Sequence, residues 1–380
     1  MSEDTETLVH FRRELHAHPE VSGDEHDTAR RVVGMLNPLR PDALLEELGG
    51  TGVLATFGTD TEGPQIMLRC ELDALPIEEV NTFAHRSRYD GVSHKCGHDG
   101  HTTILTGVAM RLSRERPERG RVHLLYQPAE ENGAGAKAVL EDPRMQDRSF
   151  DLVLALHNLP GYPLGSVVVR KGAFTASVNS MVITFTGRTS HAAEPEHGEN
   201  PALAVAELLQ GAIGLQHNVP ADAHMRVVTP VHVDLGSLDY GISAGRAEVH
   251  LTVRCWNDEE LRRLEKEIEQ VAGRCAKEHG LGSTIAYTHT FQANMNDDAA
   301  AELMRKAAIE AGARIVDRAH PFKWGEDFGL FTTRYKGCMI GLGAGEDLPA
   351  LHNPDYDFPD ALIPTGVEIF MAAIKTHLAR

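Results

Sequence analysis

The 380-residue chain has no long apolar run. None approaches the roughly 20 residues that a membrane-spanning helix needs, so no membrane partner is expected. It has no basic surplus either. Lys plus Arg number 37 against 55 Asp plus Glu, a formal net charge of −18. Such a chain is repelled by phosphate backbones and anionic lipid, which argues against nucleic acid and membrane surfaces. A disulfide framework is missing as well. The five cysteines (Cys70, Cys96, Cys255, Cys275, Cys338) are odd in number, widely spaced and form no C-x-x-C. That usage fits a reducing cytoplasm. The start, MSEDTETLVHFRREL, is acidic and then amphipathic, without the basic and apolar regions of a secretory signal. No internal repeat or low-complexity segment stands out. With 42% hydrophobic and 24% charged residues, the composition is that of a soluble globular protein. At roughly 100–200 residues per domain, the length suggests two or three domains. What is abundant is histidine, 21 in all, and that prompts a search for metal ligands.

Leu8, Phe11 and Leu15 recur at helical spacing, as do Ala29, Val32, Val33 and Leu36 before Pro38. Short apolar runs follow: GVLATF (52–57), QIMLRC (65–70), VHLLYQ (122–127) and LVLALH (152–157). Ile104, Leu105, Val108 and Leu112 mark a helix between the second and third. Runs that are continuous rather than alternating suit strands buried on both faces, so a largely parallel sheet covered by helices is expected. The pattern changes near residue 178. Met181, Ile183 and Phe185 alternate with polar or smaller residues, and Val249, Leu251 and Val253 with His250, Thr252 and Arg254. One-sided strands of this kind suit an antiparallel sheet. Two helices accompany them, one opening at Asn200-Pro201 and one carrying Leu261, Leu264, Ile268 and Val271. Residues 178–290 therefore read as an inserted β-α-β-β-α-β layer of ferredoxin-like, α+β type. Residues 1–177 and 291–380 read as one α/β domain around it. The last helix is expected to open on a capping box, Thr365-x-x-Glu368.

Metal-type ligands concentrate in KCGHDGH (95–101), QPAEENGAG (127–135), ALHNLPG (155–161) and ALHNPDYDF (350–358). Three of these follow an apolar run or resemble the end of one. The carboxyl ends of parallel strands share one rim, where distant residues converge. Cys96, His98, Glu131, His157 and His352 supply the thiolate, imidazole and carboxylate that a divalent transition metal takes. On an extended segment, Cys96-x-His98 would put both side chains on one side. Adjacent Glu130 and Glu131 would point in different directions, one carboxylate binding metal and the other reaching an activated water. A metal lowers the pKa of bound water towards ~7, and a carboxylate can pass the released proton to a leaving amine.

LHAHPE (15–20), ELDALPIEE (71–79), CGHDGHT (96–102), QPAEE (127–131), LHNLP (156–160), GRTSHAAEP (187–195), GEDF (325–328) and HNPDYDF (352–358) occur in the order found in the M20 metallopeptidases. The chain resembles that family over its whole length, in particular the branch of aminoacylases, hippurate hydrolases and auxin-conjugate hydrolases. The resemblance implies a three-layer α/β/α, zinc-peptidase-like catalytic domain and a smaller lid and dimerisation domain. It implies two divalent metals per subunit, Mn or Zn first and Co or Ni next. By motif position, Cys96, His98, Glu131, His157 and His352 resemble the metal ligands and Glu130 the general base. Asp73 resembles the aspartate that orients the metal site, and His191 a lid histidine that polarises the scissile carbonyl. Asn200 is read first as a helix cap and second as a substrate contact. His16, His18, His94 and His101 are left structural. The implied activity is hydrolysis of the amide C–N bond of an N-acyl amino acid or related conjugate by hydroxide generated at the metals. A homodimer or higher homo-oligomer joined through the lid is implied too.

Three departures bear on substrate choice. Glu71 stands where the family usually has Asp. YGISAGR (240–246) replaces a stretch that helps hold the substrate carboxylate, and GEDF lacks a preceding Ser. Hydrolytic deamination of an amino-substituted aromatic acid and dipeptide cleavage are therefore alternatives. Gly241-Ile242-Ser243-Ala244-Gly245 also fits the G-x-S-x-G of serine hydrolases. The alternating strand after it favours a hairpin turn over a nucleophile elbow. An inactive binding protein of the same fold would have no need of Glu130.

Overall fold

A computed structural model describes residues 3–58 and 63–379. Met1 and Ser2 of the acidic start, and residues 59–62 and 380, lie outside the described residues. The chain divides into two compact units. One comprises Met1–Phe174, Asn294–Arg318 and Glu326–Arg380, the other Thr175–Ala293 and Ala319–Gly325.

The first unit is mixed α/β. Its eight-stranded sheet runs Ala43–Leu48, Gly52–Gly58, Arg121–Gln127, Gln65–Glu71, Leu152–Pro160, Gly337–Gly345, Val167–Val168, Ile315–Val316. The four middle strands, from Arg121–Gln127 to Gly337–Gly345, are mutually parallel. Gly52–Gly58 is antiparallel to both of its neighbours, which corrects the expectation of a largely parallel sheet on that side. Its continuous apolar run reports burial on both faces, whichever way the neighbours point: residues 52–57 are all buried. Helices pack against this sheet. Leu8, Phe11 and Leu15 of Glu3–Ala17, and Val32 and Leu36 of His26–Leu36, join its core. So do Ile104, Leu105 and Val108 of His98–Arg114.

The last helix, Leu362–Leu378, opens three residues before Thr365, so the expected capping box lies inside it. Glu368 instead accepts a hydrogen bond from Arg111 at 2.7 Å. Pro364 sits in the first turn, where its missing N–H has no partner to lose.

The long elements of the second unit follow the order β-α-β-β-α-β, with a pair of two-residue strands between them. Its antiparallel sheet runs Arg226–Leu235, Arg246–Cys255, Ser177–Thr186, Gly282–Phe291. The helices Ala202–Gly214 and Asp258–Glu278 bury Leu208, Leu264 and Ile268 with the alternating Met181, Ile183, Phe185, Val249, Leu251 and Val253. At the head of Asp258–Glu278, Asn257 caps by accepting from Glu260 N at 2.9 Å.

Candidate metal centre

The four parallel strands present their carboxyl ends on one rim, and the predicted ligands of the first unit gather there. His157 lies in Leu152–Pro160, and Glu130 and Glu131 lie in the turn after Arg121–Gln127. Asp73 follows Gln65–Glu71, and His352 lies in the loop beyond Gly337–Gly345. Cys96-x-His98 is not extended. Gly97 takes a left-handed φ of 92°, and His98 opens the helix His98–Arg114. A Cβ on Gly97 would stand 2.7 Å from the side chain of Asn158, so glycine is needed twice over. The turn at Glu130 is held by Glu25, which accepts from Ala129 N (2.8 Å), with Ala129 at φ 50°.

Two three-donor groups share the Cys96 sulfur: Cys96, His98 and His157, and Cys96, Glu131 and His352. In each, the donor atoms lie within 4.8 Å of one another. Sγ of Cys96 is 3.5 Å from His157 Nε2, and His352 Nε2 is 3.7 Å from Glu131 Oε1. His98 Nε2 is 3.9 Å from both Glu130 Oε2 and Glu131 Oε1.

The other ring nitrogens are committed. His98 Nδ1 donates to the Asp73 carbonyl and His157 Nδ1 to the Asn158 carbonyl, each at 2.9 Å. Such bonds fix the ring orientation and turn Nε2 towards the cluster. Asp73 also accepts, through Oδ2, from Glu131 N (2.9 Å) and Ser22 (2.7 Å). His98 Nε2 and Glu131 Oε1 are buried and meet no hydrogen-bond partner. Buried polar atoms normally have one, so these residues fit divalent cations.

Without a cation, most of the buried donors hold on to their protons. Burial raises Glu130 well above the usual carboxylate range, and Glu326, Glu131 and Asp327 add to it. Burial likewise lifts Glu131 to about 7, with Asp73 contributing and His98 opposing. Burial, then the two glutamates, push the Cys96 thiol well up. His157 is driven well below its ordinary value by burial and His101. In His98 the Asp73 and Glu71 carboxylates outweigh burial and hold the ring at about 10.

Several site residues were not foreseen. Glu326 and Asp327, in the GEDF segment, cluster with Glu130. Arg69 is fully buried and pairs with Glu71, Glu326 (2.9 Å) and Asp327 (2.5 Å). The signal was in QIMLRC: a charge inside an apolar strand must find partners. His101 donates to Glu71 (2.7 Å) and accepts from Asn158 N (3.1 Å), so the longer Glu71 still reaches a histidine of the motif.

His191 and Asn200 belong to the second unit. His191 lies in the short strand Ser190–His191, paired with Ile242–Ser243. It is exposed, and its Nδ1 accepts from Ala193 N at 3.0 Å. A ring that accepts at Nδ1 carries its N–H on Nε2. The cap position of Ala202–Gly214 falls on Pro201, one residue beyond the expected Asn200, which accepts from Ala202 N (2.9 Å) and donates to Ser243 Oγ (3.0 Å). A strand, Arg246–Cys255, follows Gly245 where a nucleophile elbow would need a helix.

Soft and hard donors gathered at the strand-end rim of an α/β sheet define the metal-binding α/β class. The particular member is set by comparison: the model of peptidase family M20/M25/M40 matches residues 67–376, and the chain belongs to that family. It is 31% identical over 364 residues to an N-acetyl-L-cysteine deacetylase of Bacillus subtilis, covering 94% of this chain and 84% of that one. It is 31% identical over 372 residues to the hippurate hydrolase of Campylobacter jejuni, covering 97% and 96%. Its fold matches the crystal structure of the Bacillus subtilis YXEP protein, a dinuclear metal-binding peptidase from the M20 family. That match has a TM-score of 0.84, 27% identity and 99% of both chains covered.

Proposed function

We propose that this chain is a metal-dependent amidohydrolase that cleaves the amide C–N bond of N-acyl amino acids or related conjugates. The observation that carries the proposal is the sulfur of Cys96 shared by two three-donor groups, in which His98 Nε2 and Glu131 Oε1 are buried without a hydrogen-bond partner. Relatives named as deacetylases and a hippurate hydrolase support the substrate class. In this reading Cys96, His98 and His157 hold one divalent cation and Cys96, Glu131 and His352 a second. Thiolate with imidazole and carboxylate suits Zn or Mn, then Co or Ni. When bound, the cations supply Lewis acidity, polarising the amide carbonyl and making water acidic enough to attack at neutral pH.

The residues do the rest. Glu130, unlike Glu131, belongs to no group that contains Cys96. It accepts a proton from the attacking water and returns it to the departing nitrogen. Asp73 fixes His98 and the Glu131 turn. His191 offers Nε2–H to the oxygen on which charge develops. The inserted unit that carries it serves as a lid. We assign a homodimer through that unit, supported by its edge strand Arg226–Leu235, where Val231, Val233 and Leu235 are exposed. A long apolar edge invites pairing with a second copy. Five unbridged thiols support a cytoplasmic setting.

The test is a panel of N-acetyl and N-benzoyl amino acids, dipeptides and amino-substituted aromatic acids. It is run on protein stripped of metal and reloaded with Zn, Mn, Co or Ni. Turnover of the N-acyl amino acids only after reloading is expected. Turnover that survives stripping, or none on any amide, overturns the proposal.

A further inference from the structure

His352 differs from the other donors. Its side chain is 52% exposed, against 12% for Glu131 and 0% for His98, so packing does not hold the ring. Its backbone takes φ 66°, a left-handed conformation that a residue with a Cβ adopts at a cost. The position of this donor therefore depends on what tethers its loop.

Lys95, the residue before Cys96, supplies two of the tethers. Its carbonyl accepts from His352 N at 2.8 Å. Its side chain is completely buried, and Nζ donates to the Tyr356 carbonyl at 2.8 Å and to Glu79 Oε1 at 2.6 Å. Glu79 does not need the lysine to be satisfied, because His16 (3.1 Å) and Ser87 N (2.5 Å) already donate to it. The Tyr356 hydroxyl donates to Asn158, which in turn donates to the Cys96 carbonyl at 2.7 Å. One ammonium thus closes a ring of contacts around Cys96 and the loop that carries His352.

We propose that Lys95 is a positioning residue: its buried ammonium ties the His352 loop to the Cys96 loop, so that the Cys96, Glu131 and His352 group is complete only while that tether is made. The inference rests on the two-cation reading above. It predicts a selective effect, because His98 and His157 are oriented by other bonds.

Wild type, Lys95→Met, His352→Ala and the double variant are stripped of metal and titrated with Co2+ alone. Uptake is followed by calorimetry and by the cobalt–thiolate absorption. Lys95→Met is expected to weaken one of two binding steps by roughly 10–100-fold, as loss of an outer-shell partner does, and to leave the other unchanged. His352→Ala should weaken that same step, and the double variant should bind no more weakly than His352→Ala alone. The inference is overturned by two unchanged steps in Lys95→Met, by both steps weakening alike, or by losses that multiply in the double variant. If Lys95→Met does not fold, Lys95→Gln, which keeps a donor on a shorter stem, carries the same expectations. Failure of the wild type to take up two ions would remove the two-cation reading itself. Two ions in the wild type with no selective loss in the variant removes only the role of Lys95.

Discussion

Two buried charge clusters lie side by side in the first unit, and they are built on opposite principles. Around Arg12 every charge meets its opposite. Arg12 donates to Asp357 and Asp360 at 2.7 Å, His16 to Asp99 (2.8 Å) and Glu79 (3.1 Å), and Lys95 to Glu79. Around Cys96 the acids outnumber their partners. Glu71, Asp73, Glu130, Glu131, Glu326 and Asp327 converge while Arg69 and His98 answer them, and lone pairs are left over. Burying an unpaired charge is costly. The first cluster is complete within the polypeptide, whereas the second keeps its surplus acids buried only by holding protons or by taking up cations.

The contrast can be broken at its centre. Glu130→Gln should lose about 10³-fold in kcat while keeping both cations, since a positioned base contributes roughly 10²–10⁴-fold. Near-normal turnover would remove Glu130 as the base. Cys96→Ser should weaken both cations, because the sulfur is common to both groups. The loss should exceed the roughly 10–100-fold of an outer-shell change. Elemental analysis showing full occupancy would remove the shared sulfur.

Metal-free protein sharpens the comparison through pH. The acids Glu131 and Asp327 are raised to about 7 from an ordinary 4.5 and 3.8. A raised acid contributes stability that is fully present below its unfolded value and is lost as pH rises through its folded one. Denaturant midpoints of stripped protein should therefore fall as pH rises from 4.5 through 7. Cations should restore them; a flat profile would contradict the electrostatic picture.

The smallest effect belongs to the balanced cluster. His16→Gln should cost about 2 kcal/mol, typical of charged hydrogen bonds, and leave cation stoichiometry untouched. In the wild type, Asp99 and Glu79 outweigh burial and hold His16 at about 9. Its contribution is complete below pH 6.5 and fades as pH rises through 9. Loss of a cation in His16→Gln would show that His16, and not Lys95 alone, joins the two clusters.

The sequence was legible where burial and spacing speak directly. Alternation at 181–185 and 249–253 marked a one-sided sheet, and continuous runs marked buried strands. It was silent where geometry is made by tertiary contact. The run at 52–57 could not reveal its direction, because burial on both faces reads the same either way. Thr365-x-x-Glu368 matched a capping pattern that Pro364 and an earlier start moved inside the helix. Cys96-x-His98 read as extended because nothing local reveals that Asn158 presses on Gly97. Arg69 was visible in its strand, but its carboxylate partners were not, since Glu326 and Asp327 lie more than 250 residues away.

Gly97 has no side chain to offer, yet it sits between Cys96 and His98 and against Asn158, the neighbour of His157. Even one added methyl group would shove Asn158 aside and unseat Cys96, His98 and His157 together. Evolution towards new amides is thus free to redraw loop walls, while this bare position stays a single point of failure.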